Sequence, residues 1–320
     1  MKKFLSLVMV LCCCLSLLAG CANNASTETT TEQTIPVVTG PEALDGKKII
    51  FIGNSYTFYG RAVLDRGNTV LTQAERVNDQ GFFYQLCKKN GIDVEVTNWT
   101  FGGHNIIDIC GEVCTVDQGC KGEHHSLFLK DTYYDYVAIQ CYSESKTYDG
   151  DLVEYLKFVT DFFRKANPNV RFIILVPHMA AEKKFKWIGD LDDAKANGFM
   201  ICNWGQMLDD ISNNRVAVPG ATQEYKRSTF VVGRTEADGH HQNILAGYLT
   251  ALMTYCAITG ESAVGQDYSF CDDSTLHSSF DLENYREKYY VHAPETNFIE
   301  VFKSEADMKG LQQLIDEYLK

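Results

Sequence analysis

Lys47-Lys48-Ile49-Ile50-Phe51-Ile52-Gly53-Asn54-Ser55-Tyr56-Thr57 carries the strongest structural signal in the chain. Ile49 to Ile52 are β-branched or aromatic, the composition of a buried strand. Gly53-Asn54 stops the run with turn residues. Ser55 is thereby delivered to the rim of a sheet. In open α/β sheets, ligands and reacting groups gather outside the carboxyl ends of the strands. Ser55 is the candidate nucleophile. The rest of the chain must then supply a base, an orienter for that base and donors for an oxyanion.

Working outward, strands and helices alternate. Asp93 to Trp99 alternates and predicts a second strand, Tyr133 to Gln140 a third, and Val170 to Val176 a buried fourth. Thr229 to Val232 predicts a short fifth. Between them, helices are expected over Phe82–Asn90 with Gly91 as C-cap, over Leu152–Lys165, and over residues 190–214. Another runs from the Asp238-Gly239-His240-His241 segment to about Ile258, and an amphipathic helix ends the chain. This order predicts an α/β domain, with a mostly parallel sheet of about five strands covered on both faces as a three-layer α/β/α sandwich.

The chain has 320 residues, 45% of them hydrophobic and 12% aromatic, enough for one large core. Its net charge of -13 speaks against nucleic acid and against electrostatic adsorption to anionic lipid. Lys2 and Lys3 precede an apolar run, Phe4 to Leu18, too short for an ordinary membrane span. Leu18-Ala19-Gly20-Cys21 then resembles a bacterial lipobox. Residues 1–20 are read as a lipoprotein signal peptide. Cys21 is the expected lipidation site, a membrane partner without a transmembrane helix. Residues 21–45, polar and Thr-rich, are read as a flexible tether, and 46–320 as a single domain.

Asp238 and His241 stand three residues apart just before a helix. Asp238 can accept from one imidazole nitrogen while the other faces Ser55. Joined to a strand-end Gly-x-Ser, the pair completes a serine-first triad of Ser55, Asp238 and His241. These blocks resemble the SGNH (GDSL-type) hydrolases, in a branch with Gly53-Asn54-Ser55 where the family has Gly-Asp-Ser. The resemblance spans residues 47 to 258. It implies the flavodoxin-like SGNH fold, an acyl-serine mechanism and no cofactor. It also implies an oxyanion hole from the Ser55 N–H, a glycine N–H in the turn Gly102-Gly103, and a side-chain amide after the third strand. Gly103 is the preferred glycine donor, and Gly102 is read as supplying a φ > 0 position. Asn54 is expected to brace the loop. The family's asparagine is missing after the third strand, where the chain reads Gln140-Cys141-Tyr142-Ser143-Glu144. Gln140 is either the replacement donor, with Ser143 as fallback, or a strand-end amide bonded to a loop.

Other constellations carry less. Cys110, Cys114 and Cys120 with His124 and His125 match no common zinc module, so no metal is expected. The eight cysteines beyond the export segment either pair or stay as thiols. His240 is read as a rim residue and His178 as a loop histidine near the site. Tyr56, Phe58, Tyr59, Trp99 and Tyr142 either stack on sugars or pack under loops. An α/β-hydrolase elbow is disfavoured, because Thr57 stands where a glycine is required. The expected activity is ester hydrolysis, with O-acetyl groups on carbohydrate as the implied substrate. The alternative is a surface glycan-binding lipoprotein without catalysis.

Overall fold

The computed structural model describes residues 38–63, 71–72, 81–100, 106, 109–110, 133–140, 152–177, 188–232, 241–271 and 297–320. Five strands lie parallel: β1 (Lys47–Gly53), β3 (Val94–Thr100), β4 (Tyr136–Gln140), β5 (Arg171–Leu175) and β6 (Met200–Cys202). Their spatial order is β3-β1-β4-β5-β6, and a two-residue strand β2 (Leu71–Thr72) adds antiparallel to the outer edge of β3. Counted as parallel strands along the chain, the order is 2-1-3-4-5. That is the flavodoxin-like doubly wound arrangement, with its switch point between the first and third parallel strands.

Both faces of β1 are buried, which explains its uninterrupted apolar run. Ile49 and Phe51 face one core, with Val94, Val96 and Ala138. Ile50 and Ile52 face the other, with Val137, Ile139 and Ile174. The first core is closed by helices α2 (Phe82–Lys89), α5 (Trp204–Ser212), α6 (Ile244–Thr259) and α8 (Glu305–Tyr318), the last preceded by a short α7 (Phe298–Lys303). The second is closed by α3 (Leu152–Ala166) and α4 (Ile188–Ala196). In α3 the buried Leu152, Leu156, Val159 and Phe163 recur at helical spacing. Helix α6 is apolar all round, and every residue of it but Ala257 is buried. It therefore runs through the core as a central post. Asn243 caps its start by accepting the Ala246 N–H at 3.1 Å, and Gly260 ends it in the left-handed conformation at φ 70°.

Three expectations need correction. The helix over 190–214 is two helices with strand β6 between them. Gly198 (φ 83°) ends α4, and Met200-Ile201-Cys202 pairs with Ile173-Ile174-Leu175. Apolar residues that face first the sheet and then the α5 core mimic one helical period. The fifth parallel strand is thus β6. Of Thr229–Val232, only β7 (Val231–Val232) is extended, and it pairs antiparallel with β8 (His241–Gln242) in a ribbon outside the main sheet. The folded unit also begins before residue 46. The Gly40 N–H donates to the Thr259 carbonyl at 2.6 Å, and Leu44 is fully buried. Among the described residues, no helix is long and apolar enough to cross a membrane.

Candidate active site

Strand β1 ends at Gly53, and the chain turns at once into a short helix, α1 (Ser55–Phe58). Asn54 caps it, its Oδ1 accepting the Tyr56 N–H at 3.0 Å. The turn is held from below by Gln140, the last residue of β4, which is buried. Gln140 Oε1 accepts the Asn54 N–H at 3.1 Å and the Thr57 hydroxyl at 3.2 Å. A side chain on Gly53 would have no room. Its Cβ would lie 2.1 Å from Thr57 Oγ1 and 3.0 Å from Gln140. Glycine at 53 is what lets Thr57 and Gln140 meet there. These contacts bridge β1 and β4, the two strands of the switch point, and place half-buried Ser55 at its mouth.

His241 arrives from the opposite end of the sequence. Its backbone is fixed on both sides. It pairs with Val232 in the ribbon, and two residues later Asn243 is tied down twice. The Asn243 N–H donates to the Phe230 carbonyl at 2.9 Å, and its Nδ2 donates to the Thr229 carbonyl at 2.8 Å. Gln242 reaches across to the serine-bearing loop, its Nε2 donating to the Tyr59 carbonyl at 2.5 Å. Thr250 in α6 donates to Gln242 Oε1 at 2.9 Å and orients that amide. The two segments also meet at glycines. Gly60 has φ 68°, and a Cβ on it would strike the Asn243 carbonyl oxygen at 2.1 Å. A Cβ on Gly247 would strike the Gly60 carbonyl oxygen at 1.8 Å. Only a glycine pair permits this approach.

The result is a contact of 2.9 Å between Ser55 Oγ and His241 Nε2, across 186 residues of chain. That is the reach a general base needs to take a hydroxyl proton. Two rings from the Ser55 loop flank the imidazole. Tyr59 lies 4.4 Å away between centroids at 30°, and Tyr56 lies 5.5 Å away at 27°.

Ser55, His241, Asn54 and Gln140 are therefore brought together. Asp238, Gly102, Gly103 and Cys21 lie outside the described residues, as do His240, His178, Tyr142, Ser143, Cys114, Cys120, His124 and His125. Gln140 uses its amide oxygen to hold the loop. Trp99 is fully buried on the far face of the sheet, so it offers no stacking surface. Thr57, Gln242, Gly60 and Gly247 were not legible as site residues, since each acts through a partner distant in sequence. Asn98 and Thr100 share a face of β3 beside β1. Their buried side-chain oxygens and the Asn98 nitrogen have no hydrogen-bond partner among the described residues.

Three of the described thiols are held in their protonated form by burial. Cys87, Cys202 and Cys256 are buried and unoxidised. Burial pushes the Cys202 thiol up to about 12, against a hydrogen bond with Thr254, and raises Cys87 and Cys256 further. Among the described residues, no group of three His, Cys, Asp or Glu side chains is placed to hold a metal ion.

No family model matches the chain, and no curated protein does. Several solved structures are similar to it. One is a DUF4886 family protein from Bacteroides uniformis, at 14% identity and TM-score 0.43, covering 85% of this chain and 94% of that one. A Parabacteroides merdae protein assigned to the GDSL-like lipases has 16% identity and TM-score 0.41, covering 68% of this chain and 97% of the other. Axe2, an acetylxylan esterase from Geobacillus stearothermophilus, has 14% identity and TM-score 0.39, covering 68% and 96%.

Proposed function

We propose that the chain is a serine esterase working through an acyl-serine intermediate. The observation that carries this reading is the 2.9 Å contact of Ser55 Oγ with His241 Nε2 at the switch point of the sheet. Ser55 Oγ attacks the ester carbonyl carbon as its proton passes to His241 Nε2. The tetrahedral intermediate collapses, and His241 returns that proton to the departing alcohol. Water then repeats the cycle on the acyl-serine and regenerates Ser55. Asp238 is assigned to His241 Nδ1, where it fixes the tautomer. The oxyanion is assigned to backbone N–H groups at Ser55 and Gly103. Gln140 Oε1 accepts from the loop, and the donor role proposed for Gln140 is that of its Nε2.

The proposed substrate is a small acyl ester on a carbohydrate. The proposed location is outside the cytoplasm, with lipid on Cys21 and residues up to the folded unit as a tether.

Hydrolysis of p-nitrophenyl acetate by wild type and Ser55→Ala tests the chemistry, with a fluorophosphonate label expected on Ser55. Equal rates, and no label on Ser55, would leave a glycan-binding protein as the better reading. Acetylated xylo-oligosaccharide supplied in place of the chromogenic ester tests the substrate class. Fractionation of cells expressing Cys21→Ser tests the anchor: release from the membrane is expected.

A further inference from the structure

The loop that carries Ser55 also carries a ring that grips the base. Tyr59 follows α1 directly, and its extended backbone (φ -62°, ψ 151°) turns the chain toward β8. Two attachments then join it to neighbouring residues of that strand. Its carbonyl accepts Gln242 Nε2 at 2.5 Å, and its ring lies on the His241 imidazole at 4.4 Å between centroids. An interplanar angle of 30° puts the imidazole over the face of the phenol ring rather than its edge. Gly60, left-handed and in close contact with Asn243 and Gly247, locks this turn against the start of α6. Phe58 stacks on the Tyr59 ring at 5.2 Å and supports it.

We propose that Tyr59 is a positioning residue for the base: its ring holds His241 in line with Ser55 and favours the imidazolium that forms when Ser55 gives up its proton. The proposal rests on the serine-esterase reading. The physical cause is the negative face of the aromatic quadrupole, which attracts a cation within about 6 Å of the centroid. Neutral imidazole gains less from that face than imidazolium does. The contact therefore strengthens as the proton moves, and so acts on the transition state more than on substrate binding.

Other charges must be separated from this effect. On the loop packed against His241, the titratable or charged groups are Tyr56, Tyr59 and Arg61. The ribbon strand β7 and the first turn of α6 bring none. Asp238 and His240 lie on the histidine's own segment, outside the described residues. Apart from the Tyr59 hydroxyl, which Tyr59→Phe removes by itself, none of these groups is removed by a substitution at 59.

The experiment is an NMR titration of the His241 imidazole, assigned with His241→Gln, in the wild type and in variants at position 59. Tyr59→Leu keeps apolar cover but removes the quadrupole. Pentafluorophenylalanine at 59 keeps the ring shape and inverts the quadrupole, so the test survives a poorly folded Leu variant. Both are expected to lower the His241 pKa by about 0.5–1 unit, while Tyr59→Phe leaves it near the wild-type value. Ester hydrolysis is expected to follow, with kcat down about two- to fivefold and KM unchanged in Tyr59→Leu, and restored in Tyr59→Phe. An unchanged or raised His241 pKa overturns the proposal, because simple loss of cover raises it. A raised KM with unchanged kcat also overturns it and makes Tyr59 a substrate contact. The titration does not depend on turnover. If Ser55→Ala leaves hydrolysis intact, the esterase reading fails while the His241 titration still decides the role of Tyr59.

Discussion

Two buried polar clusters hold this molecule together, and they do opposite things with their side chains. One is the clamp around Asp307, in the first turn of α8. Asp307 is fully buried, and its carboxylate accepts the Thr222 N–H at 3.0 Å, the Tyr225 hydroxyl at 2.8 Å and the Thr222 hydroxyl. Every acceptor there is spent on pinning the segment before β7 to the helix. The other cluster is Gln140, Asn54 and Thr57 under the Ser55 turn. It is just as buried, but the turn it braces leaves Ser55 and His241 half-buried at the surface. Beside it, Asn98 and Thr100 keep buried polar atoms without partners among the described residues. The first cluster closes on itself; the second leaves the Ser55 and His241 atoms above it open.

Substitutions should separate the two. The largest effect belongs to Ser55→Ala: ester hydrolysis is expected to fall at least about a thousandfold, while the melting temperature stays near wild type. Thermal denaturation and initial rates on the same preparation check both halves. Asp307→Ala is the mirror image. Stranding several buried donors is expected to cost about 3 kcal/mol of stability in denaturant unfolding, with kcat of the remaining folded protein unchanged. Gln140→Leu sits between them, because it strands the Asn54 N–H and the Thr57 hydroxyl. It is expected to lose about 2 kcal/mol and about tenfold in kcat together. A loss of stability without a loss of rate would place Gln140 with the Asp307 type of cluster.

The smallest expected effect is a pH slope. Burial pushes the Asp307 carboxyl up, but hydrogen bonds from Ser304, Thr222 and Tyr225 outweigh it and hold the group below its ordinary value. A carboxyl lowered in the folded state adds stability above the unfolded pKa of about 3.9, and that stability is lost as pH falls through the folded value. The melting temperatures of wild type and Asp307→Asn should therefore converge on acidification below about pH 4. A constant gap would mean that shape, not charge, sets the worth of the clamp.

Much of the fold was legible because its signals are local. The β1 run and the helical spacing of α3 are properties of neighbouring residues. Strand β6 was not legible. Three apolar residues between two helices carry no period of their own, and only pairing with β5 makes them extended. The same holds for β7, whose valines match a sheet strand but pair with β8 instead.

At the site, the division is the same. That a strand ends in Gly53-Asn54-Ser55 and that a histidine precedes a helix can be read from contiguous residues. That the two meet at 2.9 Å, that Gln140 turns its oxygen to the Ser55 loop, and that Tyr59 lies on His241 are visible in the folded chain alone. Those facts depend on a strand crossing, a ribbon and a glycine–glycine approach between segments more than 80 residues apart. Such contacts are set by packing geometry, which no local pattern of residue types encodes.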